Sequence, residues 1–209
     1  RAELVGVLCV LGLETRSVVT IHQSIFATSA GLPIGRRVLS VVLNAVARFV
    51  VLILADDIHH VSHTMARRSP RFWKSVVIYN GISMPQPRDS FGTSKDARVR
   101  FLSIGSVTAS KGFVEMALLL SQLDRVQWSW TIVGGVRPGF KNEIFRILSD
   151  RLCERGNGAV TFVGYDADIE KYFWSADFYF SLSRRESFGL TVLEGMAAGL
   201  PVVASNLPV

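Results

Sequence analysis

Cysteine is scarce in this chain: there are two among 209 residues, Cys9 and Cys153, far apart in sequence. Neither has a second ligand at metal or redox spacing, which excludes a zinc ribbon or a Cys-x-x-Cys redox site. Both read as buried thiols in a reducing compartment. Charge is also sparse, at 19% against 49% hydrophobic residues, a balance that excludes a disordered chain and fits a globular one. No segment resembles a homeodomain, a zinc finger or an RNA-recognition motif, so nucleic acid is not an expected partner. No Gly-x-Gly-x-x-Gly follows a strand, which argues against a dehydrogenase. A signal peptide, internal repeats and low-complexity segments are likewise not visible. Acidic residues are the minority charge, 17 against 23 basic ones, a net +6. That excess favours anionic partners such as phosphates or anionic lipid, and its scattered placement serves solubility equally well. The chain opens on Arg1 and stops at "SNLPV", directly after what reads as a core strand, so a fragment of a longer protein is expected.

What is present has a rhythm. From Val99 onward strands and helices alternate: "VRFLSIG", then "FVEMALLLSQL"; "WSWTIVGG", then "FKNEIFRILSDRL", whose Ile144, Ile147, Leu148 and Leu152 share a face; "AVTFVG", then "DIEKYFWSA"; "DFYFSLS", then a helix from about Leu190 to Ala198; and "VVAS" after Pro201. Strands apolar on both faces and separated by single helices imply a parallel sheet covered on both sides, a doubly wound α/β domain. Its ligand belongs at the carboxyl ends of the strands, where the loops after Gly105, Gly134, Gly164 and Ser183 converge. The first part offers "RSVVTIHQ", "DDIHHVSH" and "SVVIYNGI" as strand candidates. The Pro-, Ser-, Gly- and charge-rich stretch between Met84 and Arg98 reads as a linker. The expected division is therefore residues 1–88, a partial Rossmann-like domain; 89–98, a linker; and 99–209, a second Rossmann-like domain truncated at its C-terminus.

"RRVLSVVLNAVARFVVLILADD", Arg36 to Asp57, is nearly long enough to span a bilayer. Asn44 and Arg48 interrupt it, and arginine at mid-membrane depth is costly. It reads as a core helix, with an alternative in which the basic edge Arg36–Arg37 lies on a membrane surface.

The chemistry concentrates in "RRESFGLTVLEGMAAGLPVVAS", Arg184 to Ser205, where seven residues separate Glu186 from Glu194. The turn feeds a helix whose free first-turn N–H groups and dipole form an anion site, and Gly189 lets a phosphate come close to the backbone. Glu186 precedes that helix and Glu194 falls about one turn inside it, where it also suits the dipole. Carboxylates accept hydrogen bonds from hydroxyls. An anion flanked by two polyols describes a sugar nucleotide.

This run resembles the paired-glutamate motif of the retaining glycosyltransferases of family 4, which have the GT-B fold. The similarity extends to "ADFYFSLSRRESFG", "TFVG", "FLSIGSVTASKG", "YNGI" and "TIH", and so covers the chain from about Val18 onward. The resemblance implies that Glu186 contacts hydroxyls of the donor sugar and Glu194 the ribose, with the Ser187, Phe188, Gly189 and Leu190 stretch facing the diphosphate. It implies that Lys111 neutralises the leaving diphosphate, that Gly105 gives it room, and that His22 reaches towards the sugar. Asn80 and Gly81 would lie near the domain junction, and Tyr165, after Gly164, near the base. The family usually carries Arg after the glycine matched by Gly105; here Ser106 stands there, and a hydroxyl does not replace a bidentate guanidinium. Arg184 or Arg185 is the expected compensating cation.

Each residue also has a plain role. Lys111 could be a solvated helix-start lysine, Glu186 a partner of Arg184 and Arg185, and His22 a strand end. His59, His60 and His63 lack the Cys or carboxylate company of a metal site. "DAD", Asp166 to Asp168, mimics an acidic metal motif, but Asp168 is expected as a helix N-cap. The resemblance implies a cytoplasmic, metal-independent glycosyltransferase with no cofactor, acting with retention at the anomeric carbon. Its donor would be a UDP-, GDP- or ADP-sugar and its acceptor a glycan, a lipid-linked or a small molecule, with peripheral contact at the inner membrane face. Two other readings stay open. One is a different GT-B sugar-nucleotide enzyme, an epimerase or a sugar-phosphate synthase. The other is a catalytically weak nucleotide-binding module, for which Ser106 speaks.

Overall fold

The protein is described here by a computed structural model covering residues 15–21, 38, 42–43, 45–46, 49–51, 53–68, 75–83, 98–123, 125–136, 139, 144, 146 and 158–208. The chain divides into two compact units, Arg1–Gly81 with Pro208–Val209, and Ile82–Leu207. The linker expected at 89–98 lies outside the described residues except for Arg98, as do Cys9 and Cys153.

In the first unit three short strands, β1 (Val18–Ile21), β2 (Asp57–His60) and β3 (Ser75–Val77), form a parallel sheet in that order. Ser17 fixes the start of β1 to the start of β2, since its N–H and hydroxyl both donate to Asp56 Oδ2 at 2.8 and 2.9 Å. Short α1 (His63–Arg68) follows β2. Helical positions recur between Val38 and Leu54; Val51 is buried there, whereas Val38, Val42, Val46, Phe49 and Ile53 are exposed. Those five fall at i, i+4, i+8, i+11 and i+15, a single apolar stripe. Among the described residues no helix is long and apolar enough to cross a membrane.

The second unit follows the expected alternation. Its strands are β4 (Val99–Ile104), β5 (Trp128–Val133), β6 (Gly158–Gly164), β7 (Phe178–Ser181) and β8 (Val202–Ala204), all parallel, in the order β6-β5-β4-β7-β8. The described helices are α2 (Phe113–Leu120), α3 (Glu170–Ser175) and α4 (Leu190–Ala197). Within "FKNEIFRILSDRL", Ile144 and Arg146 are helical and Ile144 is fully buried; the other positions lie outside the described residues.

Alternating side chains bury both faces of this sheet. Trp128, Trp130 and Ile132 of β5 join Phe113, Met116 and Leu120 of α2 on one side. Leu102, Val133 and Tyr179 join Phe173 of α3 and Leu200 on the other. Trp128 and Trp130 are completely buried. Sealing one large aromatic removes about 150–250 Å² from water, roughly 4–6 kcal/mol of transfer free energy before entropy is counted. Polar stitches then fix strand neighbours. Trp130 Nε1 donates to Ser103 Oγ at 2.9 Å, and that hydroxyl donates to Phe180 O at 2.6 Å, so one relay crosses β5, β4 and β7. At the opposite end of the strands Arg100 grips Asp177 through Nε and Nη2, at 3.0 and 2.7 Å.

Candidate functional site

The strand order reverses between β4 and β7, since the chain runs outward from β4 to β6 on one side and from β7 to β8 on the other. Ligands of open parallel sheets sit outside the carboxyl ends of the strands at such a reversal, because the two loops there diverge and leave a crevice. The loops after β4 and β7 carry most of the expected site residues.

These loops are joined along their length. The first passes Gly105 and Ser106 and closes in a 3-10 turn, Ala109–Lys111, before α2. Gly112 then packs on the second: a Cβ there would lie 1.9 Å from Leu182 O, and its φ of +70° is left-handed. Arg184 N–H donates to Ser110 O at 2.8 Å. Lys111 Nζ donates to Glu186 Oε1 at 2.6 Å, with both side chains largely shielded. Arg184, in turn, donates to Glu115 in the first turn of α2. An open cleft of about 220 Å³, counting its solvent mouth, is lined by Ile104, Lys111, Ser181, Ser183, Glu186 and Thr191 among others.

Helix α4 begins at Gly189, whose φ is +87°, and no side chain caps it. Val192 and Leu193 N–H already donate to Gly189 O at 3.0 and 3.1 Å, so the amides of Leu190 and Thr191 are the ones left without an intrahelical acceptor at this electropositive terminus beside the cleft. Glu194 is the fifth helical residue and lies past the first turn, so the dipole explanation expected from sequence does not account for it. Its Oε2 is sealed from solvent with no hydrogen-bond partner among the described residues, although the residue as a whole is half-buried. Burial pushes its carboxyl above the ordinary glutamate range. Beneath it, Tyr179 is fully buried, and a Cβ at Gly195 would come within 2.8 Å of its ring. Burial pushes the Tyr179 phenol up to about 12, against a hydrogen bond to Thr191 and with help from the charges of Glu194 and Glu186. The tyrosine stays a neutral phenol, packed under Gly195 of α4.

Other expected residues are placed separately. Ser106 is exposed directly after Gly105. Ser187 and Phe188 are half-buried in the turn before α4, and Leu190 opens that helix at 40% exposure. Tyr165 follows β6 and is 85% exposed, next to a register shift at Ile132 and Val133 that bends the strand. Behind it the carboxyl edge is bare backbone. Gly105 N–H donates to Val133 O at 2.8 Å and Gly134 N–H to Gly164 O at 2.6 Å, and a Cβ at Gly134 would lie 2.1 Å from Gly105 O. His22 lies outside the described residues. Asn80 and Gly81 follow β3 in the first unit. Of the two arginines offered as compensating cations, Arg184 is turned to Glu115, and Arg185 is exposed with no ion pair among the described residues.

One expectation is corrected. Asp168 is not the N-cap of α3; Ile169 occupies that position, without a side-chain bond. Asp166 organises the loop instead, because two residues earlier its carboxylate can close a local turn on the backbone. Oδ1 accepts the Asp168 N–H at 3.0 Å, and Oδ2 takes Tyr172 at 2.7 Å and Lys171 at 2.8 Å. These bonds, Lys171 first, pull the Asp166 carboxyl down to about 2. The histidines have protein partners: His59 Nε2 donates to Ile78 O at 2.7 Å, His60 Nε2 meets Ser75 Oγ at 3.3 Å, and His63 packs edge-on against Tyr79. Among the described residues no group of three metal-ligating side chains converges.

Thr191 and Ser181, which line the cleft, were not singled out in the sequence, although they flank the glutamate run. Glu115 carried no local signal, since its partner lies 69 positions away.

The fold sets the class. HepE of Anabaena, solved with UDP and glucose, superposes with a TM-score of 0.66 at 21% identity, covering 98% of this chain and 56% of that one. The architecture is thus Rossmann-like α/β of the GT-B type. Sequence sets the family: residues 86–209 match Glycosyl transferases group 1, and the chain belongs to that family. It is 30% identical over 144 residues to the O-antigen biosynthesis glycosyltransferase WclY of Escherichia coli, covering 65% of this chain and 38% of that protein. To the lipopolysaccharide core biosynthesis mannosyltransferase LpsB of Rhizobium meliloti it is 33% identical over 148 residues, covering 64% and 41%. The chain spans about two-fifths of these relatives.

Proposed function

We propose that this chain carries the donor-binding part of a cytoplasmic glycosyltransferase that moves a sugar from a nucleotide diphosphate to a glycan, lipid-linked or small-molecule acceptor, with retention and without a metal. The observation that carries it is the arrangement at the sheet reversal. A lysine paired with one glutamate stands beside an uncapped helix terminus, and a second glutamate is sealed without a donor. Names among the relatives, O-antigen and lipopolysaccharide core biosynthesis, favour a surface polysaccharide as the acceptor class.

Transfer breaks the bond between the anomeric carbon and a phosphate oxygen, so negative charge grows on the diphosphate. Lys111 and the amides at Leu190 would meet that charge in a preorganised, partly water-excluded setting, the kind of electrostatic assistance that dominates catalysis. In this scheme Lys111 exchanges Glu186 for the phosphate, which frees Glu186 to accept hydroxyls of the donor sugar. Glu194 Oε2 would accept a ribose hydroxyl and so gain the donor it lacks. Gly105, Ser187, Phe188 and Gly189 would border the diphosphate, Tyr165 the base, and His22 the sugar. Ser106 supplies one hydroxyl and no charge; Arg185, with Arg184 held by Glu115, is the better placed compensating cation. Peripheral contact with an anionic membrane face belongs to the same proposal, supported by the outward stripe from Val38 to Ile53.

The test is metal-free binding of UDP, GDP and ADP and their sugars, by calorimetry and thermal shift, beside Glu194→Ala. A ligand at a hundred times its Kd adds about 2.7 kcal/mol of stability. One nucleotide that binds the wild type and fails with the variant is expected; equal binding by both would sink the assignment of Glu194.

A further inference from the structure

We infer that Glu115 is a positioning residue for this site: by holding Arg184 it decides which cation faces Glu186. The assignment of the site itself rests on the nucleotide-sugar proposal above, whereas the geometry does not. Three cations neighbour Glu186: Lys111 pairs with it, Arg184 and Arg185 precede it in its own loop, and of these two Arg185 is exposed without an ion pair among the described residues. Lys111 comes from the loop after β4, and Arg184 precedes Glu186 by two residues in its own loop. Backbone contacts bring the loops together, through Gly112 against Leu182 O and Arg184 N–H to Ser110 O. Those contacts fix the loops but leave the Arg184 side chain a choice. Glu115 makes that choice. It sits in the first turn of α2, where a carboxylate also complements the helix dipole, and it accepts the Arg184 guanidinium.

The consequence concerns specificity between cations. Guanidinium is a planar fork that matches carboxylate bidentately, and ammonium is a point charge. Without Glu115, Arg184 would compete for Glu186 and displace Lys111. A bidentate Arg184–Glu186 pair within one loop would be harder for an incoming diphosphate to open than the single ammonium contact of Lys111. Glu115 therefore keeps Glu186 on an exchangeable partner. None of the local sequence patterns around the glutamate motif points to it.

The experiment reads Lys111 directly. Limited acetylation of the folded protein with an N-hydroxysulfosuccinimide ester, followed by peptide mass spectrometry, gives the labelling rate of each lysine. In Glu115→Gln the rate at Lys111 should rise about fivefold, the scale of a part-exposed ion pair, towards the rate in Glu186→Gln. Rates at Lys171, far along the chain in α3, should not move. Exchanging the charges, Glu115→Arg with Arg184→Glu, should restore the wild-type rate at Lys111. A Lys111 rate unchanged in Glu115→Gln while Glu186→Gln raises it would overturn the inference. So would a parallel rise at Lys171, which would mean general loosening. A second arm measures UDP, GDP and ADP binding: Glu115→Gln should weaken whichever binds the wild type by about the same factor. If labelling responds as expected and none of the three binds the wild type, the positioning role stands and the nucleotide-sugar proposal fails.

Discussion

Replacing Glu194 by glutamine should make the ligand-free protein more stable while weakening its ligand. The sealed Oε2 has no donor among the described residues, and a buried unpaired polar atom costs about 1–3 kcal/mol. The residue is only half-buried overall, so the lower end applies, about 1 kcal/mol. Glutamine keeps the volume and still leaves an unpaired amide atom at the sealed position, so the gain comes from removing the charge, the costlier part of the burial. For a chain of this size that gain is a rise of about 2–4 °C in Tm. The pH dependence gives a sharper check. Burial raises the folded-state pKa of Glu194 above the ordinary glutamate value of 4.5, so the folded chain holds this proton more tightly than the unfolded chain. The stabilising contribution is complete below the unfolded value and is lost as pH rises through the folded one. Wild type and variant should therefore converge near pH 4 and separate towards pH 7, the variant being the more stable. Scanning calorimetry of both across that range measures the gap. Nucleotide binding should move the other way, by about tenfold, since a hydrogen bond to a charged acceptor contributes about 1.5–3 kcal/mol. A variant no more stable at pH 7, or one offset equally at every pH, would refute the account of Glu194 as an uncompensated buried carboxylate.

Gly112→Ala should lower Tm by several degrees: its Cβ would sit 1.9 Å from Leu182 O at a φ of +70°, a backbone conflict of about 1–3 kcal/mol or more, read by thermal denaturation. Lys111→Ala should reduce turnover of the complete protein by about 10²–10³-fold, the scale of losing one charge-stabilising donor, whereas Ser106→Arg should tighten diphosphate binding in calorimetry. Asp166→Asn should flatten the acid limb of stability. The wild-type carboxyl is pulled down to about 2, so its contribution is present above about pH 4 and is lost as pH falls towards 2; melts between pH 2 and 6 measure the slope.

The longer β-strands of the second unit were legible because their apolar runs end on glycine, Gly105 after β4, Gly134 after β5 and Gly164 closing β6. "WSWTIVGG" yields Trp128–Val133 and "AVTFVG" yields Gly158–Gly164, each close to its expected bounds. The start of α4 at Leu190 was equally plain, since Gly189 and the following periodic run mark it. Side-chain partnership was less legible. Asp166 and Asp168 are both good turn formers, and which of them closes the loop depends on Tyr172 and Lys171 reaching back, a matter of helix phase and not of local preference. Arg184 could be assigned to Glu186 or to a phosphate from sequence, because nothing near it reveals a carboxylate on a helix 69 positions earlier. That Glu194 Oε2 is sealed without a partner is a tertiary fact, set by what packs around α4 and not by the residues next to it in sequence.

The bare backbone at the ends of β4, β5 and β6 also bears on how donor choice could change. Gly134 abuts Gly105 so closely that no side chain fits between them. A ligand lying along that ledge meets amides and carbonyls that every sequence shares, so substitutions there alter folding before they alter preference. Under the proposed function, discrimination among donors would fall to side chains that follow the ledge, Ser106 after Gly105 and Tyr165 after Gly164. A saturation library selected for folded protein should return glycine almost alone at 134 and a broad alphabet at 165. The fold thereby separates the positions that keep the site intact from those free to diversify what it accepts.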